Sequence, residues 1–130
     1  MARVLVFGVQ AEELAKIRAA AGGCKLRVHA VPEFLYRQKI GVLAQADIGS
    51  LAENVQMGGE DGLYSGEPLG ESLLLACGVT EKQLDKLLAA LKRAVVQVDY
   101  KAVLTEANAG WNVLRLFAEL GLEKAAYKKG

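Results

Sequence analysis

Leu5-Val6-Phe7-Gly8-Val9 and Leu75-Ala76-Cys77-Gly78-Val79 repeat one pattern, a short apolar run closed by Gly-Val, 70 positions apart. The correspondence runs outward without a gap: Leu14 matches Leu84, Lys16 Lys86, Ile17 Leu87, Ala19-Ala20 Ala89-Ala90, and Val28 Val98. Each copy reads as an apolar strand, a glycine turn, an amphipathic helix and a second strand. Such self-similarity marks a repeated supersecondary unit.

The elements carry their own signals. Arg3 to Phe7 is a β-rich apolar run. The first helix starts near Ala11, with Glu12 and Glu13 favourable to its dipole; Leu14, Ile17 and Ala21 form its buried stripe, and Gly22-Gly23 are expected to stop it. From Lys25 to Val31 apolar and polar residues alternate, as in a strand with one wet face, which puts His29 on the polar side. In the second copy Leu73 to Cys77 is the strand. Thr80 and Gln83 form a capping box, and Leu84, Leu87, Leu88 and Leu91 form the helical stripe. Val98 to Leu104 is the partner strand. A last helix is expected from about Glu106 to Leu120, stopped by Gly121 with Leu122 behind it.

The first and third strands are apolar throughout and belong in the centre of a sheet; the second and fourth alternate and suit its edges. The expected class is α/β (α+β): duplicated βαβ units in a ferredoxin-like four-stranded sheet, order 4-1-3-2, with an extra C-terminal helix. A parallel sheet in the order 2-1-3-4 satisfies the same pattern. The 130 residues fit a single domain, 1–130, with copies at 3–31 and 73–130 around an irregular linker, 32–72. Ile40, Leu43, Asp47, Leu51 and Val55 keep helical spacing in that linker. Met57 to Glu71, rich in glycine and acids, is expected to be a mobile loop.

A net charge of +1 carries no nucleic-acid signature. No apolar run approaches the roughly 20 residues of a membrane span, and no signal pattern opens the chain, so the expected location is cytoplasmic. Cys24, Cys77 and the single His29 lie far apart and lack metal-ligand spacing, so neither metal nor cofactor is expected.

Lys101-Ala102-Val103-Leu104-Thr105, followed by Asn108 and Trp111, together with Leu74 to Leu84 upstream, resembles the bacterial domain of unknown function 3783. The resemblance covers Leu74 to Lys129. It implies a bacterial cytoplasmic protein and no particular activity. The Thr105–Trp111 stretch finds no counterpart in the first copy, where Pro32, Phe34 and Tyr36 stand.

That motif supports two readings. Thr105 and Asn108, with Thr80, can present side chains beside free N–H groups at helix starts and hold an anion. Alternatively Thr105 caps a helix, Asn108 returns a bond to it and Trp111 packs in the core. The last helix has an apolar arc wider than one sheet face needs, so Trp111, Leu114, Leu116, Phe117 and Leu120 are expected at a subunit interface. The function expected is that of a non-enzymatic binding or assembly module, a homo-oligomer binding neither membrane nor nucleic acid, with any small-molecule ligand undefined. The alternative is a small-molecule enzyme or an anion-binding regulatory domain using helix N-termini.

Overall fold

The computed structural model describes residues 2–54 and 70–129. Strand β1 (Arg3–Phe7), helix α1 (Ala11–Gly23) and strand β2 (Arg27–Ala30) come first, then a 3-10 turn (Glu33–Leu35) and helices α2 (Ile40–Gln45) and α3 (Ile48–Asn54). Strand β3 (Leu73–Cys77), helix α4 (Glu81–Arg93), strand β4 (Tyr100–Val103) and helix α5 (Val113–Lys129) complete the chain. The fold is α/β. The described residues divide into two compact units, 2–32 with 70–104 and 33–54 with 105–129. The expected Met57–Glu71 loop falls almost wholly outside the described residues.

The first unit holds the four-stranded sheet, in the order β2-β1-β3-β4. Each βαβ crossover returns to the neighbouring strand, so β1 pairs β2 and β3 pairs β4 in parallel, while β1 meets β3 antiparallel. This corrects the ferredoxin-like order, in which another strand intervenes between the two strands of each unit. It also corrects the wholly parallel alternative, which has the right order but the wrong direction at the centre. Apolar-through strands identify the centre of a sheet without stating direction. Both faces of the central strands are indeed buried, from Val4 to Phe7 and from Leu73 to Cys77.

Helices α1 and α4 share one sheet face. Ile17 and Ala21 from α1 and Leu87 and Leu91 from α4 pack on Val4, Val6, Val28 and Leu74, with Leu26 and Val96 closing the cluster. Complete burial of one such aliphatic side chain contributes about 1.5–3 kcal/mol. Thr80 caps α4 as expected, its Oγ1 accepting from the Gln83 N–H at 3.1 Å and the Gln83 Oε1 accepting from the Thr80 N–H at 3.2 Å.

Gly22-Gly23 do not stop α1; they form its last turn. The stop is at Lys25, with φ of 60°, and its equivalent after α4 is Val95, with φ of 57°. Both ends are Schellman motifs: the Leu26 N–H donates to the Ala21 carbonyl and the Val96 N–H to the Leu91 carbonyl, at 2.9 and 3.0 Å. Burial of Leu26 and Val96 in the core explains why a left-handed residue is tolerated where glycine would be easier. Gly8 and Gly78 do adopt positive φ, 69° and 66°, and a β-carbon on Gly8 would run into the Glu71 carbonyl.

The two copies match element for element as far as Val96. Beyond it the offset grows by three residues: Leu73 pairs Tyr100, whereas its equivalent Arg3 pairs Arg27. The ungapped match of Val28 with Val98 is thereby corrected, since Val98 precedes its strand and Lys101 takes the register position of Val28. The residues Gln97 to Asp99 take up the excess. Asp99 Oδ2 accepts from the Ser72 N–H at 2.8 Å, and the Ser72 Oγ accepts from the Asp99 N–H at 3.0 Å.

From Pro32 onward the grown offset persists. Pro32 to Lys39 and Thr105 to Asn112 each run through a turn to a single antiparallel bridge, Lys39 to Asn112, and then into a helix. Ile40, Leu43 and Ala44 are buried on α2; their equivalents Val113, Leu116 and Phe117 are buried on α5. The Thr105–Trp111 stretch therefore does have a backbone counterpart in the first copy. Identity of side chains conceals it, because Pro32 stands at Thr105 and Leu35 at Asn108. The two segments zip together through Ile40 N–H to the Trp111 carbonyl at 2.8 Å and Gly41 N–H to the Ala109 carbonyl at 3.0 Å. A β-carbon on Gly41 would stand 2.9 Å from the Ala109 oxygen, so this approach requires glycine. The predicted helical run of the linker is broken at Ala46, and Asp47 caps α3 by accepting from the Ser50 N–H at 3.3 Å. Val55 lies outside the described residues.

Candidate functional site

Thr105 and Asn108 are joined reciprocally. Asn108 Oδ1 accepts from the Thr105 N–H at 2.8 Å, and Thr105 Oγ1 accepts from the Asn108 N–H at 3.1 Å. The box closes a turn rather than opening a helix, with the Ala109 N–H donating to the Thr105 carbonyl at 3.0 Å. Helix α5 begins eight residues after Thr105, where Asn112 Oδ1 accepts from the Arg115 N–H at 2.8 Å. This corrects the expected start near Glu106. The expected stop at Gly121 is corrected too, since α5 continues to Lys129. A helical glycine costs only about 1 kcal/mol against alanine, and the residues after Gly121 are mostly good helix formers.

Thr105 therefore lacks the helix N-terminus on which the anion reading relied, and its hydroxyl already holds Asn108. Asn108 is itself buried. Thr80 does open a helix, but its hydroxyl and N–H are taken by the Gln83 box. Of the capping reading, the reciprocal Thr105–Asn108 bonds are present, but Thr105 opens no helix and Trp111 is half-buried under Arg115 rather than in the core.

The α5 residues separate into two sets. Leu116 and Phe117 are buried, with Phe117 stacked on Tyr36 at 6.2 Å between ring centroids. Trp111, Leu114 and Leu120 are half-buried, and Leu122 is 67% exposed. Leu114, Ala118 and Leu122 recur at intervals of one helical turn and share a face. Beside them Arg115 lies over the Trp111 ring at 4.6 Å and approaches Glu119 at 3.9 Å.

Sequence reasoning missed the cluster around the start of β3 and β4. There the Tyr100 hydroxyl donates to Glu71 Oε2 at 2.7 Å, next to the Ser72–Asp99 pair. The Glu71 carboxylate accepting that proton raises the tyrosine pKa, and burial and the charges of Glu71 and Asp99 add to it. The one legible signal was the three-residue excess in the second copy. Cys77 is buried, and desolvation pushes its thiol up to about 11 against a smaller opposing pull from Arg3. Cys24 is half-buried at a groove of about 240 Å³ between α1 and α4, flanked by Lys86 and Arg93. That groove is below the usual size of an organic-ligand site, roughly 300 Å³ upward. Among the described residues no three metal-ligating side chains come together, and no helix is long and apolar enough to cross a membrane.

The fold defines the class: a small α/β protein whose mixed sheet is built from two βαβ units. Within it, residues 72–127 match the family described as Domain of unknown function (DUF3783). The match covers the second copy and includes the Lys101–Trp111 motif on which the resemblance rested. No curated protein and no solved structure matches the chain.

Proposed function

We propose that this chain is a non-enzymatic assembly module of the bacterial cytoplasm that self-associates through α5. The observation that carries this reading is the apolar face of Leu114, Ala118 and Leu122, half-buried at Leu114 and exposed at the other two, on a helix whose opposite side is buried. A second copy suits that face because Arg115 and Glu119 flank it with opposite charges one turn apart. An antiparallel pairing of two α5 helices sets each arginine against the other copy's glutamate. The titratable groups with shifted pKa values support the non-enzymatic part. Cys77 and Tyr100 are both moved up, away from the neutral range in which a nucleophile or general acid–base works best.

Light scattering across a concentration series tests the proposal. A mass rising toward twice that of the chain, abolished by Leu122→Lys, is the expected result. A mass equal to one chain at every concentration rejects it.

A further inference from the structure

The family match covers residues 72–127, yet the first half of the chain follows the same plan. Strand and helix bounds agree at a constant offset through the Schellman stops at Lys25 and Val95. After the three-residue excess they agree again through turn, bridge and helix, down to the buried triplets Ile40-Leu43-Ala44 and Val113-Leu116-Phe117.

The pairing between the halves has a special symmetry. In the β1–β3 ladder Leu5 faces Leu75, its own equivalent, and the neighbours follow reciprocally: Arg3 faces Cys77 while Phe7 faces Leu73. In the other compact unit Lys39 is bridged to Asn112, again its own equivalent. Self-pairing of equivalent residues is the defining property of a two-fold, isologous contact. A surface that meets its own equivalent in this way is complementary to itself.

We infer that residues 2–45 are a second, diverged unit of the DUF3783 family, and that the β3 edge centred on Leu75 is a homotypic pairing surface. Its occupant is another unit of the same family, supplied here by the first half of the same chain. A lone unit would expose the backbone edge of a strand that is buried along its whole length. The pairing surface is thus obligatory for the unit, and covalent linkage provides its partner at high effective concentration. This inference stands on the β1–β3 ladder and the Lys39–Asn112 bridge, and not on the α5 face.

The test is a full-length tandem chain in which residues 1–54 are replaced by residues 71–124, so that both halves carry the second-copy sequence. It is expected to fold with one cooperative melting transition. With Cys77→Ala in both halves, Leu75→Cys in both is expected to give an intrachain disulfide on oxidation, seen as a single-chain band on non-reducing denaturing electrophoresis. Leu73→Cys in both is expected to give none, because position 73 lies opposite 77 and the two thiols stand roughly 13 Å apart along the strands. A cross-link at 73 but not at 75 overturns the register. The natural chain, cut after folding at a protease site inserted between residues 54 and 70, provides the second measurement. If its halves stay bound while the tandem fails to fold, the surface accepts the first half only and the homotypic claim is overturned. If the cut halves separate, there is no obligatory pairing surface at all.

Discussion

Leu5 lies directly across the β1–β3 ladder from Leu75, each fully buried and each the other's equivalent in the repeat. Both sit at the middle of a five-residue central strand. Leu5→Ala and Leu75→Ala are therefore expected to destabilise the fold by similar amounts, about 2–5 kcal/mol each. Because the side chains are cross-strand neighbours, the double variant is expected to cost less than the sum of the two. Urea unfolding of the four proteins gives the coupling directly.

Val95 is a β-branched residue held at φ of 57° and 75% exposed, so its side chain returns little for the backbone strain it imposes. Val95→Gly is expected to stabilise the protein by about 1 kcal/mol, seen as a higher urea midpoint at unchanged slope.

Glycine-to-alanine changes are expected to divide by backbone geometry. Gly22→Ala and Gly23→Ala meet open space at the end of α1 and are each expected to add about 0.5–1 kcal/mol. Gly8→Ala is expected to be clearly destabilising, since its positive φ and the Glu71 carbonyl both oppose a β-carbon. Thermal melts of the three variants check the opposite signs.

Alkaline pH is expected to weaken the fold through two groups. The folded-state pKa values of Tyr100 and Cys77 lie above their ordinary values of 10.0 and 9.0. The folded protein therefore holds these protons more tightly than the unfolded chain. The resulting stability is complete below the ordinary pKa and is lost as pH rises through the folded one, near 11 for the thiol. Cys77→Ala should flatten the fall of stability between pH 9 and 11, and Tyr100→Phe the fall that begins above pH 10, both measured by urea unfolding at stepped pH. At neutral pH a thiol reagent is expected to modify Cys24 in the native protein and Cys77 only after unfolding.

Asn108→Ala is expected to cost about 1–2 kcal/mol, because it removes the acceptor of the Thr105 N–H inside a closed turn. Phosphate is expected to leave the melting temperature of parent and variant alike unchanged. A phosphate-dependent rise in the parent that Asn108→Ala abolishes would instead establish the anion reading.

Strands and helices were legible wherever local chemistry alone decides them. The Thr80–Gln83 box, the apolar run Leu73–Cys77 and the stripe of α4 were all readable, and the bounds of β1 and the start of α1 with them. Sheet direction was not, because burial pattern records how many faces of a strand are covered and says nothing of which way it runs. The end of α1 misled because Gly22-Gly23 is a strong stop signal, while the actual stop depends on Leu26 reaching a core formed with other elements. The start of α5 misled for a related reason. Thr105 and Asn108 have the spacing of a helix cap, but the bonds of Ala109, Trp111 and Asn112 to Gly41, Ile40 and Lys39 hold the chain out of helix until Val113. The candidate site was legible in its bonds, Thr105 to Asn108, but not in what those bonds enclose.

The three residues from Gln97 to Asp99 reach beyond the strand they precede. Without them the sheet would end in two matching borders. With them Lys101 stands exposed where Val28 is buried, and Tyr100, bonded to Glu71, stands where Arg27 is exposed. One border carries a basic fringe at Arg27; the other pairs an acid-bound phenol with an outward lysine and valine. A partner approaching the sheet meets two unlike ends, and a scaffold built on a near two-fold plan acquires a head and a tail.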